Sequence, residues 1–379
     1  MKIKTVIEGK GKILIPDTEK ISSKFPFYNP AMNINRNFTL AIIRIFNCEN
    51  FLDGLSACGA LSIRALKETN ANIYACENNP ESYKILEENV KMNCEDDEER
   101  KRIRTYKTDL NLLLNLLRKQ KIKFDFIDID PFGSPVEFLD NVFINSKHNT
   151  IIGVTATDLG TLCGKYENTC LRRYQCYSYN VDFDKEFGLR NLISYIARSA
   201  GKFEIGIEIL FSYYYLHYFK VYFRIKKLRS FSDKTLENVK FLKYCPNCLN
   251  REYIDENFDN ICENCKTKTK ILGPLWTGKF ADENVCEMLK NDLEKNEERK
   301  EIIKKELKIL DLVKNEQKIN LPYYNIHKIC KIHKLKIPKK EEILKINQDK
   351  FRETHFTGTG IKFDGNVKEL KEIFESIII

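Results

Sequence analysis

The sequence predicts an α/β protein: a mostly parallel, doubly wound sheet with helices on both faces over residues 1–240, then an α+β C-terminal domain over 241–379 carrying a four-cysteine ribbon. Three observations predict it. Strand-like and helix-like patterns alternate from residue 50 to 155, as βα units of a parallel sheet do. Successive strands of that stretch end in acids, at Glu77, Asp109 and Asp130. Two Cys-x-x-Cys pairs, Cys245 with Cys248 and Cys262 with Cys265, follow an abrupt change of composition at residue 241.

The elements follow in order. Residues 1–35 read as an alternating strand pair around GKILIP and then an irregular, Pro- and Asn-bearing segment, KFPFYNPAMNINR. A helical period begins at residue 37 in NFTLAIIRIFN. The run ENFLDGLSACGALSIRALKE is strand, glycine-bearing turn and helix; NIYACENN is the next strand, and PESYKILEENVKMN a helix with proline at its first position. RIRTYKTDL leads into NLLLNLLRKQ, and FDFIDID is a fourth strand. NTIIGVTATDL is another buried type of strand, residues 185–200 are helical, and FEIGIEILFSYYYLHYFKVYFRIKKLR supplies two strands that extend the sheet. After the cysteines come GPLWTGKF, a charged helix or helix pair in ADENVCEMLKNDLEKNEERKEIIKKELKILDLV, and a small mixed region from LPYYNIHKI to the end. The charged stretch 290–320 is expected to be a solvated helix.

At 379 residues the chain holds two or three domains, and 42% hydrophobic with 11% aromatic residues excludes disorder and collagen-like structure. Sixty-three Lys and Arg against 54 Asp and Glu give +9, a balance that suits a polyanionic partner. The N-terminus lacks an apolar signal core, and no apolar run approaches the roughly 18 residues of a membrane span. Thirteen cysteines, an odd number, with one tight paired cluster, predict reduced thiols in a cytoplasmic, soluble protein with no membrane role.

Each Cys-x-x-Cys pair wraps one edge of a metal, and the hairpin between the pairs brings four thiolates into a tetrahedron. Cys245, Cys248, Cys262 and Cys265 are therefore expected to hold a Zn²⁺ ion. Four sulfurs leave no place for water, which makes the metal structural. The other nine cysteines, among them Cys48, Cys58, Cys76 and Cys94, are expected to be small packed side chains.

In open α/β sheets ligands bind beyond the carboxyl ends of the strands. The first strand ends in Asp53-Gly54-Leu55-Ser56-Ala57-Cys58-Gly59, whose glycines permit close backbone approach. The second ends in Glu77, placed to accept from both hydroxyls of a ribose, and the third in Thr108-Asp109-Leu110, where a carboxylate can take an adenine amine. Neither G-x-G-x-x-G nor G-x-x-x-x-G-K-[ST] occurs, which disfavours dinucleotides and ATP. S-adenosylmethionine fits the pattern better.

The fourth strand delivers Asp128-Ile129-Asp130-Pro131-Phe132-Gly133-Ser134-Pro135. This resembles the [DNS]-P-P-[YFW] signature of amino methyltransferases, with Phe132 replacing the second proline. An exocyclic base amine is a weak nucleophile because its lone pair is delocalised into the ring. Asp130 and the backbone carbonyl beside Pro131 can hold its hydrogens, Asp130 can take the departing proton, and Phe132 can stack on the base. A base reaching such a site leaves its stack, and Phe25-Pro26-Phe27-Tyr28-Asn29-Pro30 offers a second aromatic wall.

Taken together, DIDPFGSP, FYNPAMNINR, TDLGTLCGKY, GLRNLISYIAR, GPLWTGKF, RETHFTGTGIKF and the cysteine ribbon resemble the archaeal and eukaryotic tRNA guanine-26 N2-dimethyltransferases over nearly the whole chain. The resemblance implies a class I, Rossmann-like S-adenosylmethionine-dependent methyltransferase domain, a C-terminal domain peculiar to the family, and two successive methylations of one guanine amine in tRNA. It further implies Asp130 as catalytic acid, Phe27 and Phe132 as walls around the guanine, and cofactor contacts from Arg36, Arg64, Glu77, Asp109 and Leu110. One departure stands out. The family's first motif often reads S-A-[ST]-G-[IL]-R-[AG], whereas here Cys58 replaces the hydroxyl residue and Arg64 alone represents the arginine expected soon after Gly59.

The segments LHYFKVYFRIKKLR and HKICKIHKLKIPKK are rich in Lys and Arg and lack carboxylates, so each is a candidate for phosphate contact or a solvated basic face. His217, His327, His333 and His355 show no ligand-like spacing and are expected in the core or on the surface. Two alternatives remain open at this point: a DNA adenine-N6 or cytosine-N4 methyltransferase, since D-P-x-aromatic cannot choose the base, and a non-catalytic RNA-binding protein. No obligate protein partner is indicated.

Overall fold

The computed structural model describes residues 3–17, 28–255, 259–295 and 300–378. Its strands are β1 (Ile3–Glu8), β2 (Gly11–Pro16), β3 (Asn50–Asp53), β4 (Asn72–Cys76), β5 (Ile103–Tyr106), β6 (Phe126–Ile129), β7 (Ile151–Ala156), β8 (Gly206–Tyr215), β9 (Tyr218–Lys226), β10 (Val239–Tyr244), β11 (Arg251–Ile254), β12 (Lys270–Trp276), β13 (Tyr324–Asn325), β14 (Phe351–Glu353) and β15 (Gly360–Phe363).

Seven of them form one sheet in the order β5-β4-β3-β6-β7-β9-β8. The first five strands in that order pair in parallel, and the β8–β9 hairpin closes the sheet antiparallel to β7. β6 and β7 are buried along their whole length, the state expected of parallel strands covered on both faces. The chain runs outward from β3 to β5 and then returns to place β6 on the other side of β3. The carboxyl ends of β3 and β6 therefore flank the switch point of the sheet, where doubly wound folds open a crevice.

The β1–β2 hairpin lies on the helices Ala60–Glu68 and Pro80–Asn93. Asn89 and Asn93 dock it through its backbone: Leu14 N and Lys12 N donate to their side-chain oxygens at 2.6 and 3.0 Å. Ile13 and Ile15 pack with Cys58, Ala60 and Ile85 in a small core of their own.

The helix expected from residue 37 begins at Asn33 and runs to Ile45. Its first turn reads as loop because Asn33, Asn35, Arg36 and Asn37 are polar, yet the last three are buried. They are satisfied inside: Asn35 by Asp130, Arg36 by Glu8, Asn37 by Glu306. Buried polar groups are tolerated when so paired. The charged stretch resolves into the helices Glu283–Glu294 and Lys300–Glu316, and the latter is not merely solvated: Glu306 and Glu316 are buried in it. Glu316 accepts from Thr354 and from the His355 ring.

Position 241 falls inside β10, so the change of composition begins within a strand. β11-β10-β12 form a three-stranded antiparallel sheet, and β13-β15-β14 another. Both are tied to the first half of the chain through buried ions. Arg251 of β11 donates to both oxygens of Asp182 at 2.8 Å, with both side chains fully buried. Lys362 of β15 donates to Glu186 at 2.8 Å, on the helix Asp184–Gly201 that also supplies Arg190 to the same carboxylate. No helix among the described residues is long and apolar enough to cross a membrane.

Candidate active site at the sheet switch point

A cavity of about 410 Å³ opens above the ends of β3, β4 and β6. Asp53, Glu77 and Asp130 line it, one from each strand end, together with Arg36, Pro131 and Phe132. The acids expected from the sequence at the ends of β4 and β6 thus converge on one space with Asp53. Phe27 lies outside the described residues. Its neighbour Tyr28 is on the cavity wall.

Glu77 is fixed by its surroundings. Ala57 N donates to one carboxylate oxygen at 2.8 Å and Asn79 N to the other at 2.6 Å. Burial raises its pKa, and these amide donors oppose the rise. A carboxylate has about four acceptor sites, so these amides leave it capacity for further donors from the cavity it lines. Asp53 is buried; burial pushes it up to about 7, against the hydrogen bond it accepts from Ser62 Oγ at 2.5 Å and with a further push from Asp128 beside it.

Asp130 is half-buried. Asn35 Nδ2 donates to its Oδ2 at 3.1 Å. Burial raises its pKa, and the buried ammonium of Lys220 holds the rise back. The loop after it is clamped: Gly133 N donates to Thr157 Oγ1 at 2.7 Å, Thr157 N returns a bond to Gly133 O at 2.9 Å, and Ser134 Oγ pairs with the Tyr174 hydroxyl at 2.8 Å. The clamp leaves the Phe132 ring 54% exposed on the wall of the cavity.

Arg36 lines the cavity, and Glu8 orients it: Nε and Nη2 each donate to one Glu8 oxygen at 2.6 Å. Arg64 lies apart from the cavity lining. It lies one helical turn beyond Leu61, is fully buried, and spends its guanidinium on Glu8, Glu68 and Asn33 at 2.9, 2.7 and 3.2 Å. It braces the N-terminal hairpin and does not reach the cavity, whose wall at this point is Leu61. Asp109 and Leu110 stand one strand further out than the cavity wall. Asp109 caps the helix Leu110–Lys119 using Oδ1 alone, which accepts from Asn111 N and Leu112 N at 2.8 and 3.2 Å. Leu110 packs so closely on Gly54 that a Cβ there would stand 2.8 Å from Leu110 Cδ2.

Two site residues carry no signal in the sequence that would have placed them here. His217, expected in the core or on the surface, sits in the β8–β9 turn at the cavity and meets Asn29 Nδ2 at 3.2 Å. Asn35 lies in the polar first turn of the Asn33–Ile45 helix, where apolar periodicity has not yet begun. Only Pro30, which opens a short 3₁₀ turn capped by Asn29, marks a helical start nearby.

The four cysteines come together as expected. Their sulfurs all lie within 4.8 Å of one another, with Cys245 to Cys265 at 3.4 Å and Cys248 to Cys262 at 3.6 Å. A tetrahedron with metal–sulfur bonds of about 2.3 Å has edges of about 3.8 Å. The two basic segments separate. In 216–229, Lys220 is fully buried, and Arg224 and Lys226 bridge to Glu208, so Lys220 is unable to touch phosphate. In 327–340, Lys328, Lys331, Lys334, Lys336 and Lys339 are exposed, and the His333 ring meets Cys248 O at 3.3 Å, placing this ridge beside the cysteine cluster.

Comparison with known proteins gives a consistent result. The profile of a family described as N2,N2-dimethylguanosine tRNA methyltransferase matches residues 9–375. A tRNA (guanine(26)-N(2))-dimethyltransferase of Methanobrevibacter smithii is 33% identical, over 99% of this chain and 98% of its own. A tRNA (guanine(26)-N(2)/guanine(27)-N(2))-dimethyltransferase of Aquifex aeolicus is 34% identical, over 98% and 96%. The solved structure of Trm1 from Pyrococcus horikoshii in complex with S-adenosyl-L-methionine superposes with a TM-score of 0.85 at 32% identity, covering 97% of this chain and 99% of that one. With its fold, its strand-end acids and full-length similarity in agreement, the chain belongs to the N2,N2-dimethylguanosine tRNA methyltransferase family.

Proposed function

We propose that this protein transfers one and then a second methyl group from S-adenosylmethionine to the exocyclic N2 of guanine 26 in tRNA. The observation that carries the reading is the position of Asp130: half-buried at the switch point, held by Asn35, beside the exposed Phe132 ring and on the same cavity as Glu77. A DNA methyltransferase or a pure RNA-binding protein draws no support from the family match.

The cavity suits the cofactor. About 410 Å³ lies within the roughly 300–1,000 Å³ typical of small-molecule sites. Glu77, pinned by two amides, presents lone pairs for ribose hydroxyls, and Arg36 and Asp53 complete the polar wall; one strand beyond that wall, Asp109 keeps Oδ2 for an adenine amine that extends past Glu77. When bound, S-adenosylmethionine supplies an electrophilic methyl on a sulfonium. Asp130 accepts one N2 hydrogen and the carbonyl beside Pro131 the other, which turns the amine lone pair out of conjugation and toward the methyl. As the new N–C bond forms the S–CH₃ bond breaks, its electron pair staying on sulfur, and Asp130 takes the proton that the amine loses, a contribution of about 10²–10⁴ in rate; in the second transfer the one remaining N2 hydrogen is the one held by Asp130. Phe132 stacks on the guanine and keeps water from the reacting atoms.

The four thiolates suit a structural Zn²⁺, since their spacing approaches that of a closed sulfur tetrahedron with no open position. We assign residues 1–240 to methyl transfer and 241–379, through the lysine ridge at 327–340, to holding tRNA. The test is incubation of the protein with radiolabelled S-adenosylmethionine and unmodified tRNA transcripts, followed by nucleoside separation, with Asp130→Ala in parallel. Label is expected in N2-methylguanosine and N2,N2-dimethylguanosine and absent from the variant; label in another nucleoside, or an active variant, refutes the reading.

A further inference from the structure

Beneath Asp130 lies a charged group that the methyl-transfer steps leave unused. Lys220 of β9 is fully buried, and its ammonium donates to Asp128 Oδ1 at 2.6 Å and to Thr155 Oγ1 at 3.1 Å. Asp128 and Asp130 are two residues apart at the end of β6, so both side chains emerge on one face. Thr155 Oγ1 also receives Asn35 Nδ2 at 3.4 Å, the same nitrogen that donates to Asp130 Oδ2 at 3.1 Å. A polar chain thus runs from Lys220 through Thr155 and Asn35 to Asp130.

The surrounding strands make room for this arrangement. A Cβ at Gly153 of β7 would stand 2.1 Å from Asp128 Oδ1, so glycine there creates the space that the carboxylate fills. A solvent-facing lysine paired with a solvent-facing acid needs no such cradle. Three carboxylates face this ammonium or its neighbours: Asp53 from β3, Asp128 and Asp130 from β6. The remaining facing groups are the Tyr222 ring 5.1 Å from Lys220 Nζ, Tyr218, His217 in the β8–β9 turn, and Arg36, whose charge is already committed to Glu8. One cation therefore acts on two acids, the buried Asp128 and the half-buried Asp130.

We propose that Lys220, shared between Asp128 and Thr155, is a positioning residue for methyl transfer: it governs the pH at which Asp130 is free to take the proton released by the guanine amine. This inference rests on Asp130 being that acceptor. In each transfer the N2–CH₃ bond forms as the S–CH₃ bond breaks; the electron pair of that bond stays on sulfur, and the N2 proton passes to the Asp130 carboxylate. Two methylations of one amine release two protons, so Asp130 must be ionised again before the second round. Burial works against that ionisation, and the ammonium of Lys220 works for it. Asp128 competes for the same cation; burial raises it to about 6 in spite of Lys220.

The measurement is single-turnover methyl transfer to a tRNA transcript between pH 5 and 9, with full-length enzyme in excess and saturating S-adenosylmethionine. A general base acts when ionised, so activity fades as pH falls through its pKa. Lys220→Met removes the cation and is expected to move this acid limb upward by about one pH unit or more, a tenfold loss at the acid end. Asp128→Asn removes the competitor and leaves Lys220 to Asp130, which moves the limb downward. Lys220→Arg is expected to return it toward wild type. Opposite displacements in two variants are not a signature of damaged folding. Acid limbs that coincide with wild type, or losses equal at every pH, overturn the proposal. Should Lys220→Met fail to fold, Asp128→Asn alone decides by the direction of its displacement. Asp130→Ala separates the two readings: a variant that still methylates N2 sinks the assignment of Asp130, whereas an inactive one beside unmoved limbs sinks only the role of Lys220.

Discussion

Glu8→Gln tests how the N-terminal hairpin is held and how Arg36 is aimed. Glu8 is 4% exposed and receives Arg36, Arg64 and the Tyr28 hydroxyl. Burial alone would raise its pKa; the charges of Arg36 and Arg64 and the hydrogen bonds from Arg36 and Tyr28 outweigh it and hold the carboxyl at about 2 instead of 4.5. At about 1.4 kcal/mol per pH unit, that displacement is worth about 3 kcal/mol to the docked state. The group is a depressed acid, so its contribution is complete above pH 4.5 and drains away as pH falls toward 2. The loss falls mainly on Arg36, which is left without its carboxylate while Arg64 keeps Glu68; a broken buried pair costs about 3–5 kcal/mol, the same interaction reckoned from the other side. The amides of Lys12 and Leu14, which donate to Asn93 and Asn89, report the docking directly. Native-state hydrogen exchange at neutral pH should show their protection falling by about two decades in Glu8→Gln, while the amides of β6 keep theirs. Protection of Lys12 and Leu14 within about threefold of wild type would refute the account of Glu8 as the ion that seats the hairpin.

Three further outcomes are expected. Phe132→Ala should leave thermal stability within about 0.5 kcal/mol, as an exposed position allows, and S-adenosylmethionine affinity unchanged, while lowering the rate of tRNA methylation at least tenfold; steady-state kinetics with a calorimetric titration of the cofactor checks both. Purified protein should carry one Zn²⁺ per chain by elemental analysis, and Cys262→Ser should lose the metal and lower the thermal midpoint, because the metal's binding energy is folding energy for the ribbon. Replacing Lys331, Lys334 and Lys336 together by Gln should weaken tRNA binding and reduce the slope of log K against log salt by about 2–3, at about 0.7–0.9 for each phosphate no longer neutralised; fluorescence titrations across a salt series measure it.

Much of the catalytic frame could be read from pattern alone because strand ends in a parallel sheet are close to one another by construction. Apolar strands followed by Glu77 and Asp130 needed no tertiary information to be placed on one rim. What pattern misplaced were residues whose partners are remote in sequence. The first turn of the Asn33–Ile45 helix looks like a loop until Glu8, Asp130 and Glu306 are brought to it. The family resemblance implies a cofactor contact for Arg64, whereas the helix phase turns it toward Glu8 and gives the cavity Leu61. Lys220 reads as one of several cations in a basic run, and only the register of β9 on β7, which sets it beside Thr155, shows that it points inward. His217 lacks any motif; a hairpin turn carries it to the site from the far edge of the sheet.

The buried ions that join the two ends of the chain bear on how this protein can change over generations. Asp182 and Glu186 belong to the first half, yet Arg251 and Lys362, which neutralise them, come from the second. A chain shortened to its first 240 residues would leave Asp182 without Arg251 and Glu186 with Arg190 alone, and a foreign C-terminal half would have to supply a cation to Asp182 at the same place. Shuffling of modules by recombination at this seam is therefore penalised. The halves are expected to be inherited as one block, with replacements at 182 and 251 surviving only in pairs and those at 186 tied to both 190 and 362.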